Sequence, residues 1–421
     1  MAEIKPFQAV VYNQRQVRSL AEVTCPPYDV ISPSQQEYFH QLSPHNFIHI
    51  LFGRDIPGED KYERAAKLFR QWQEEKLLIQ EDSPAVYFYS QDYLLRGEKR
   101  TRLGFIALLR LEEGNKAAFA HEHTRLAPKE DRLRLLRQVK ANLSPIFIVF
   151  ADKKRIISRT FRRDIQDRDA AADFTDNEKV RHKLWRVDSP EVIAAIAEAL
   201  RREDVFIADV HHRYEVACAF RDEMRRANPQ GAGEAPFNYL MAYFTNPDPR
   251  GLAIFAIHRL LPFAKEPDTA RKEGYFDIEE VKDKARFLFL MEKGGCNEHV
   301  IGMYRGGRFF LLRLKNLRIL DKIMADNPRP YRQLDVSILN AVILDDVLAC
   351  TPEEKEAIRF SHHEQEVFKE VDAHPGYTAF FLNPVKFSAV QAVALAGSKM
   401  PPKSTYFYPK VVSGLVINKL E

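Results

Sequence analysis

The segment FIADVHHRYEVACAF, residues 206–220, brings a carboxylate, two histidines and an arginine together at one point of the chain. These side chains belong to Asp209, His211, His212 and Arg213. An arginine guanidinium can bind phosphate through two hydrogen bonds, and histidine can donate to phosphate or transfer protons near neutral pH. A carboxylate beside them can hold a metal ion or accept a proton from a substrate. The combination predicts a phosphate site, and the alternative is a helix cap at Asp209 with ion pairs on the surface.

The elements around this segment predict where its polar side chains lie. The run VFIADV predicts a strand, and YEVACAFRDEM predicts a helix in which Val216, Ala219 and Phe220 are interspersed with charge. Residues 211–213 would then lie at the helix N-terminus, where backbone N–H groups and the positive end of the helix dipole gather. Such a terminus binds anions, phosphate above all. The helix before the strand, SPEVIAAIAEALRRED, is expected to have Ser189 as its N-cap.

A second group of polar residues lies in the segment AHEHTRLAPKEDRL. On a strand, His121 and His123 would face the same side, and this arrangement can bind zinc or iron when a carboxylate supplies a third ligand. The spacing indicates no third ligand. The alternatives are polar residues on a loop before a helix, or a share in the same active site as His211 and His212.

A third group lies near the C-terminus in MPPKSTYFYPK. Lys403, Ser404 and Thr405 are similar to the end of a phosphate-binding loop, but the glycines of such a loop are missing. Beside three aromatic residues they could still contact an anion, and the alternative is a packed turn. Asn142, in ANLSPIF, is a polar residue in apolar surroundings. Buried hydrogen bonds are expected for it, and with His121 and His123 it is also a candidate for binding the substrate.

The apolar patterns predict several larger elements. Residues 62–80 have helical spacing of apolar side chains. The runs AVYFYSQDYLL and TRLGFIALLRLEE, joined by RGEK, predict a β-hairpin. FNYLMAYF and GLAIFAIHRLL are expected to pair as strands, and RFLFLMEK is expected to open a β-meander with EHVIGMYRGGRFFLLRLK.

Strands and helices alternate without a regular βαβ pattern, so the expected fold class is α+β with mixed sheets. A length of 421 residues with 45% hydrophobic residues suits more than one packed domain. We expect an N-terminal α+β domain over residues 1–262 that carries the phosphate site, and a C-terminal α+β domain over residues 263–421.

Composition narrows the classes of function. With 63 basic and 59 acidic side chains the net charge is +4, which gives no strong electrostatic case for binding nucleic acid or an anionic membrane. The four cysteines, Cys25, Cys218, Cys296 and Cys350, share no CxxC spacing, which argues against a zinc ribbon or a disulfide framework. No signal peptide or membrane-spanning run is evident, so we expect a cytoplasmic protein. The expected partner is a small-molecule substrate.

Several motifs in a fixed order resemble those of the domain of unknown function 1015 family, which is found widely in bacteria and archaea. The resemblance covers nearly the whole chain, and the family name implies no activity. The motifs are IKPFQAVVYN, CPPYDVIS, HEHTRLAPKEDRLRLLRQVKANLSPIF, RHKLWRV, IADVHHRYEVA, GLAIFAIHRLL, LDVSILNAVIL and MPPKSTYFYPKVVSGLVIN.

The segment Asp209–Arg213 is also similar to the Asp-Gly-His-His-Arg signature of free serine kinases with a ParB/sulfiredoxin-like fold. In that superfamily the signature lies between a strand and a helix and binds nucleotide phosphate. The resemblance implies that His211, His212 and Arg213 contact phosphate, and that Asp209 lies near the metal or the reacting hydroxyl. The resemblance covers only about a dozen residues.

The segment departs from this signature at one position, where Val210 stands in place of glycine. Glycine would allow a positive φ or a close approach of phosphate to the backbone. A β-branched residue is expected to forbid the first and hinder the second. On that basis the loop binds phosphate by side chains alone, or this member has weakened or lost its activity. The resemblance also implies a carboxylate base, for which Glu122 is the first candidate and Asp29 the second.

These observations predict a nucleotide-dependent kinase for a small hydroxylated metabolite such as free serine, with ATP or ADP and Mg²⁺. Asp209, Glu122 and His211 are its candidate catalytic residues. The candidates for binding the nucleotide are residues 211–213 and 403–405. The alternatives are a ParB-like switch that binds nucleotide without transfer, and a catalytically silent family member. A third hypothesis is a metal-dependent hydrolase built from His121, His123, His211 and His212.

Overall fold

The computed structural model describes residues 2–112, 118–120, 122, 126–228, 233–295 and 297–420. These residues divide into two compact units. The first takes in the described residues of 1–120, 124–253 and 409–421, and the second takes in those of 121–123 and 254–408. The main boundary therefore follows Ala253, where the sequence led us to expect it after residue 262. The last segment of the chain, from Pro409, returns to the first unit.

The first unit combines strands and helices along the whole of its length. Its strands before the boundary are β1 Ile4–Lys5, β2 Val10–Tyr12, β3 Leu78–Gln80, β4 Val86–Leu95, β5 Glu98–Arg110, β6 Phe119–Ala120, β7 Ala141–Asn142, β8 Ile146–Phe150, β9 Ala172–Thr175, β10 Arg181–Val187, β11 Val205–Asp209 and β12 Tyr239–Thr245. Its α-helices are α1 Leu20–Val23, α2 Pro33–Leu42, α3 Ile48–Leu51, α4 Lys61–Glu74, α5 Leu126–Val139, α6 Ile156–Thr160, α7 Pro190–Leu200 and α8 His211–Ala227. Short 3₁₀ turns cover Tyr28–Val30 and Pro236–Asn238, and a π-helix covers Phe161–Ile165.

The main sheet of the first unit is mixed. Its strand order is β6-β11-β8-β12-β5-β4-β10-β9, and β1 also pairs with β5. The pairs β11–β6 and β12–β8 are parallel, whereas β4, β5 and β10 pair antiparallel with their neighbours. The predicted hairpin of β4 and β5 is confirmed. Its turn residues Arg96 and Gly97 have φ values of +51° and +82°, as a tight two-residue hairpin turn requires.

One face of this sheet forms the core that holds α8 in place. Phe105, Ile148 and Phe244 are fully buried there, and Tyr214 and Ala217 of α8 belong to the same cluster. Burying a large apolar side chain contributes about 1.5–3 kcal/mol. Because the first turns of α8 are anchored in this way, the position of the helix N-terminus is set by the sheet.

The strands of the second unit are β13 Ala253–Phe255, β14 His258–Leu261, β15 Phe276–Val281, β16 Val300–Arg305, β17 Arg308–Leu314, β18 Arg359–Ser361, β19 Thr378–Phe381 and β20 Tyr406–Tyr408, and the chain ends in the first unit with β21 Asn418–Lys419. Among the described residues, six of these strands form one sheet in the order β15-β17-β16-β19-β14-β18. The helices of this unit are α9 Thr269–Tyr275, α10 Lys284–Gly294, α11 Arg318–Ile323, α12 Arg329–Arg332, α13 Asp335–Ile338, the π-helix Leu339–Val347, α14 Pro352–Ala357, α15 Glu364–Ala373 and α16 Phe387–Leu395. Two-stranded sheets join β2 to β3, β7 to β21 and β13 to β20.

The α+β class with mixed sheets is confirmed, but one predicted boundary and two predicted elements were wrong. The helix predicted over residues 62–80 ends at Glu74, because the last residues form β3 against β2. RFLFLMEK lies in helix α10, where the Asp283 side chain accepts from the N–H of Arg286 as an N-cap. FNYLMAYF pairs with β5 and β8 and not with GLAIFAIHRLL. Short apolar runs suit a buried helix or strand equally, and tertiary partners decide between them.

Three of the four cysteines lie among the described residues. Cys25, Cys218 and Cys350 are free thiols, and Cys296 lies outside the described residues. In the part of the chain that the structure describes, no helix has the length and apolar character that crossing a bilayer requires.

We expect Gly104→Ala to destabilise the first unit. A Cβ at this position in β5 would overlap the carbonyl oxygen of Phe244 and lie 2.6 Å from the ring of Tyr243. Overpacking of this kind should lower the free energy of unfolding by about 3 kcal/mol. Gly97→Ala is the matched control, because Gly97 also has no side chain but faces open space, and its positive φ alone should account for about 1 kcal/mol. Urea unfolding compares the two variants, and equal losses would contradict this packing.

Candidate functional site

The predicted order of strand, loop and helix is confirmed at Asp209. β11 ends at this residue, and α8 begins at His211. The register between β11 and β8 shifts between Ile207 and Asp209, so the strand is irregular at its last residues. Irregularities of this kind re-aim a side chain at the end of a strand and are common beside active sites.

Val210 corrects the expectation that a β-branched residue cannot take a positive φ. Its φ and ψ are +62° and +43°, in the left-handed region, and its side chain is 8% exposed within the core cluster of the main sheet. A valine in this conformation is an outlier that persists only when the surrounding structure holds it. The loop therefore has a left-handed backbone that glycine adopts readily, although the residue is valine.

The beginning of α8 also differs from the alternative in which Asp209 caps the helix. The N-cap residue is Val210, the helix has no side-chain cap hydrogen bond, and its first turn contains no acidic residue. Asp209 Oδ1 instead accepts from the N–H of Val210 at 3.0 Å. The residues of the first turn are His211, which is buried, and the half-buried His212 and Arg213. The first turn of the helix therefore contains no carboxylate that would compete with a bound anion, and the nearest one in sequence is Asp209, two residues before it.

The Asp209 carboxylate forms an ion pair with Lys410, whose ammonium donates to Oδ2. Burial raises the pKa of Asp209, but the Lys410 ammonium, the N–H of Val210 and the charge of Arg213 outweigh it and lower that pKa below its ordinary value. Asp209 is therefore a carboxylate that stays ionised. It suits a fixed negative charge or a metal ligand better than a proton acceptor.

Lys410 is held in turn by buried polar residues of the main sheet. Gln91 Nε2 donates to the Lys410 carbonyl at 2.7 Å, and Gln91 Oε1 accepts from Arg102. The Arg102 guanidinium lies over the ring of Phe147 at 4.6 Å and near that of Tyr243 at 5.3 Å. This chain of contacts fixes the backbone of Lys410 before its side chain reaches Asp209.

Arg213 forms a second cluster with residues near the N-terminus. Its Nη2 donates to Asp29 Oδ1 at 3.3 Å and its Nη1 to the Pro145 carbonyl at 3.2 Å. The ring of Tyr28 lies 5.4 Å from the Arg213 guanidinium and 4.2 Å from that of Arg132. Burial raises the pKa of Tyr28 to about 12, with a further contribution from Asp29, so the phenol stays protonated near two cations.

A pocket of about 60 Å³ lies beside this cluster, and Tyr28, Arg132 and Arg213 line it together with Asn142 and apolar side chains. A water molecule occupies roughly 30 Å³ in the liquid, so this space suits a group the size of a phosphoryl and not a nucleoside. Asn142 lies in the wall, where its Oδ1 accepts from the N–H of Met241 at 3.1 Å and from Asn418 Nδ2 at 3.0 Å. The Asn142 oxygen therefore accepts hydrogen bonds within the fold, as expected for a buried amide.

Glu122 and residues 403–405 lie in the second unit. Glu122 Oε1 accepts from the N–H of Lys403 at 2.8 Å, and Arg259 Nη2 donates to the Lys403 carbonyl at 2.9 Å. The buried Ser404 hydroxyl donates to the Pro401 carbonyl at 2.5 Å, and Thr405 is half-buried. The structure thus brings Glu122 and the Lys-Ser-Thr segment together within the second unit.

The proposed histidine metal site cannot be traced in full, because His121 and His123 lie outside the described residues. Among the residues that are described, no group of three or more His, Cys, Asp and Glu side chains could hold a metal ion.

A family model described as a protein of unknown function (DUF1015) matches residues 4–337. The chain belongs to this family. A search among curated proteins finds no match for this DUF1015 chain.

Several solved structures are similar to this DUF1015 chain at low identity. A free serine kinase variant in complex with ADP is 10% identical with a TM-score of 0.35, and the match covers 70% of this chain and 88% of that one. A conserved hypothetical protein from Pyrococcus furiosus is 13% identical with a TM-score of 0.34, covering 72% and 92%. SbnI from Staphylococcus aureus, truncated at its C-terminus, is 9% identical with a TM-score of 0.39, covering 73% and 85%. Likeness at this level does not carry an activity from one protein to another.

Sequence reasoning missed three residues of this site, namely Lys410, Tyr28 and Arg132. Each lies in a motif by which the family was recognised, but none is near Asp209 or Arg213 in sequence. A basic residue in the turn-rich C-terminal motif was the available signal for Lys410, and its partner could not be found from spacing.

We expect Val210→Gly to be more stable than Val210→Ala by about 1 kcal/mol, because glycine accepts the left-handed backbone and alanine does not. Both variants lose most of the buried valine, so their difference isolates the backbone. Val216 in α8 provides the control: there alanine should be more stable than glycine by about 1 kcal/mol. Urea unfolding measures all four, and the same order at both positions would contradict the positive φ.

We expect Lys410→Met to lower the free energy of unfolding by about 3 kcal/mol at about pH 7, because Asp209 then loses its cation in a half-buried position. In the native protein the pKa of Asp209 is lowered, so its contribution is present above the unfolded value of about 3.9 and is lost as the pH falls through the folded value. In the variant, the Lys410 charge no longer offsets burial, so the pKa of Asp209 rises. The difference between the two proteins should therefore shrink in acid.

Urea unfolding at about pH 7 and about pH 3 checks this sign. The double variant Asp209→Asn with Lys410→Met is the control, because it has no carboxylate to titrate and should differ from the native protein in its pH dependence. A loss of the same size at both pH values would mean that Lys410 stabilises through the packing of its aliphatic stem alone.

Proposed function

We propose that this chain is a nucleotide-dependent phosphotransferase that acts on a small hydroxylated metabolite, with ATP or ADP as the donor. The observation that carries the proposal is the loop at Val210. A strained left-handed residue lies directly between a buried strand and the first turn of a long helix. Strain of this kind is retained where a backbone shape is needed for function.

The charges around the loop fit a phosphate group. Arg213 lies in the first turn of α8 and pairs with Asp29. Arg132, which pairs with Asp131, lines the same small pocket. Lys410 adds a third cation at Asp209. With no acidic residue in that first turn, the helix dipole and the guanidinium groups act in the same direction on an anion. The pocket has room for a phosphoryl group, and we infer that the nucleoside binds outside it.

The two aspartates suit different roles in this proposal. Asp29 accepts a hydrogen bond from Arg213, so it lies next to the group proposed to bind phosphate. We propose that the Asp29 carboxylate accepts the proton of the substrate hydroxyl. Asp209, with its lowered pKa, would serve as a fixed charge. His211 and His212 would donate hydrogen bonds to phosphate. Glu122, the first candidate from the sequence, belongs to the second unit and is kept as the alternative base.

The reaction then follows from position and charge. The substrate hydroxyl oxygen forms a bond to the terminal phosphorus of the nucleotide as the bond from that phosphorus to its bridging oxygen breaks. The hydroxyl proton passes to the Asp29 carboxylate, and the bridging oxygen keeps the electron pair. Arg213 stabilises the negative charge on the transferred group. Mg²⁺ bound to nucleotide phosphates supplies further charge neutralisation, and such ions often take only one or two carboxylates from the protein, a role open to Asp209.

A second candidate function is a switch that binds nucleotide without transfer. It is favoured by the fact that both aspartates already form ion pairs, Asp29 with Arg213 and Asp209 with Lys410. A carboxylate held in this way is a weak proton acceptor. The two functions share the phosphate site and differ in whether a product forms.

We expect Arg213→Ala to lower phosphotransfer at least about 100-fold while leaving the fold intact. Phosphorus NMR of the protein with Mg²⁺, ATP or ADP and a pool of hydroxy-amino acids and polyols would show a new phosphomonoester resonance. Arg137→Ala is the matched control, because Arg137 forms a similar ion pair with Glu223 on the surface of the same unit. Broadened nucleotide resonances without product would establish the switch instead. Spectra with neither a new resonance nor broadened nucleotide resonances would contradict the proposed phosphate site.

The base can be identified by comparing Asp29→Asn with Glu122→Gln. If Asp29 takes the proton, only Asp29→Asn should lower turnover, by about 100-fold or more, with nucleotide binding retained. A larger loss in Glu122→Gln would assign the base to the second unit. The same NMR assay measures turnover, and nucleotide line widths report binding.

A further inference from the structure

A separate pocket of about 380 Å³ lies within the second unit, and none of the functions considered above uses it. This volume falls in the range of sites for small molecules, roughly 300–1,000 Å³. Its floor is the six-stranded sheet, from which Leu261, Phe276 and Phe380 contribute buried apolar side chains. The π-helix adds Ile343 and Val347 to the wall. The interior therefore suits an apolar body.

The mouth of this pocket is basic. Lys265, Lys272, Arg305 and Arg308 line it, with Glu266 as the only acidic lining residue among those described. Three of the four cations already have carboxylate partners in the fold. The pairs are Lys265 with Glu354, Arg305 with Glu266, and Arg308 with Glu280. Each of these pairs is neutral, so they leave no net charge for a ligand.

Lys272 is the exception. It lies in the last turn of α9, it is half-buried, and it forms no hydrogen bond or ion pair through its ammonium with any described residue. The mouth therefore carries one uncompensated positive charge above an apolar floor. A partly buried ammonium gains most from an anion that also displaces water from the apolar surface below it.

We propose that this pocket binds an apolar monocarboxylate, with the carboxylate on Lys272 and the hydrocarbon body on the floor of phenylalanine and leucine side chains. The single unpaired charge favours one carboxylate over a doubly charged phosphate monoester. The site lies wholly in the second unit, so it does not depend on the phosphotransfer proposed for the first.

Calorimetric titration of the full chain with decanoate and with decan-1-ol tests this site. Decanoate should bind at one site about tenfold more tightly than decan-1-ol, because only the acid can pair with the ammonium. Added salt should lower the affinity for decanoate and leave the affinity for decan-1-ol unchanged. Equal affinities for the two probes, or no saturable binding of decanoate, would overturn the proposal.

Two variants locate the binding. Lys272→Gln should bring the affinity for decanoate down to that for decan-1-ol, a loss of about tenfold. Lys322→Gln is the matched control, because Lys322 is an exposed lysine of the same unit outside the pocket, and it should change neither affinity. Met303→Trp, which fills the half-buried floor, should abolish binding of both probes, with thermal unfolding to check that the unit still folds. Equal effects of the two lysine variants would place the probe elsewhere and refute the site.

Discussion

The ion pair between Asp209 and Lys410 is the interaction on which the candidate site depends. The two residues are 201 positions apart, and the pair joins the end of β11 to the segment that returns to the first unit after residue 408. A carboxylate removed from water without a partner is destabilised by several kcal/mol, so Lys410 stabilises the half-buried Asp209 at the end of β11. The returning segment therefore completes the site as well as the fold.

Around this pair, packing and hydrogen bonds fix backbone conformations that the same residues would not favour on their own. Val210 keeps a left-handed backbone because its side chain is buried in the core and its neighbours are fixed by β11 and α8. Gln91 and Arg102 hold the backbone of Lys410 from the sheet. A backbone shape prepared in advance lowers the entropy lost when a ligand binds. The same rigidity explains how a valine can occupy a position where glycine is expected.

The two pockets differ in size and in lining. In the first unit, Arg213 and Arg132 both lie near the ring of Tyr28 beside a small pocket, which suits a compact anion such as phosphate. Each of these arginines also pairs with an aspartate of the fold. In the second unit, three of the four cations at the mouth of the large pocket pair with carboxylates, and the space below is apolar. Pocket size and the polarity of the lining, and not the number of basic residues, distinguish the two kinds of ligand.

The sequence by itself determined the α+β class, the hairpin of β4 and β5, the N-cap at Ser189 and the strand–loop–helix order at Asp209. Each of these depends on side-chain periodicity, turn residues or caps within a few positions of the chain, where local sterics and hydrogen bonds act. Tertiary structure decided the positive φ of Val210, the pairing of FNYLMAYF with β5 and β8, and the partners of Asp209 and Arg213. These depend on contacts between segments far apart in sequence, which no local pattern encodes.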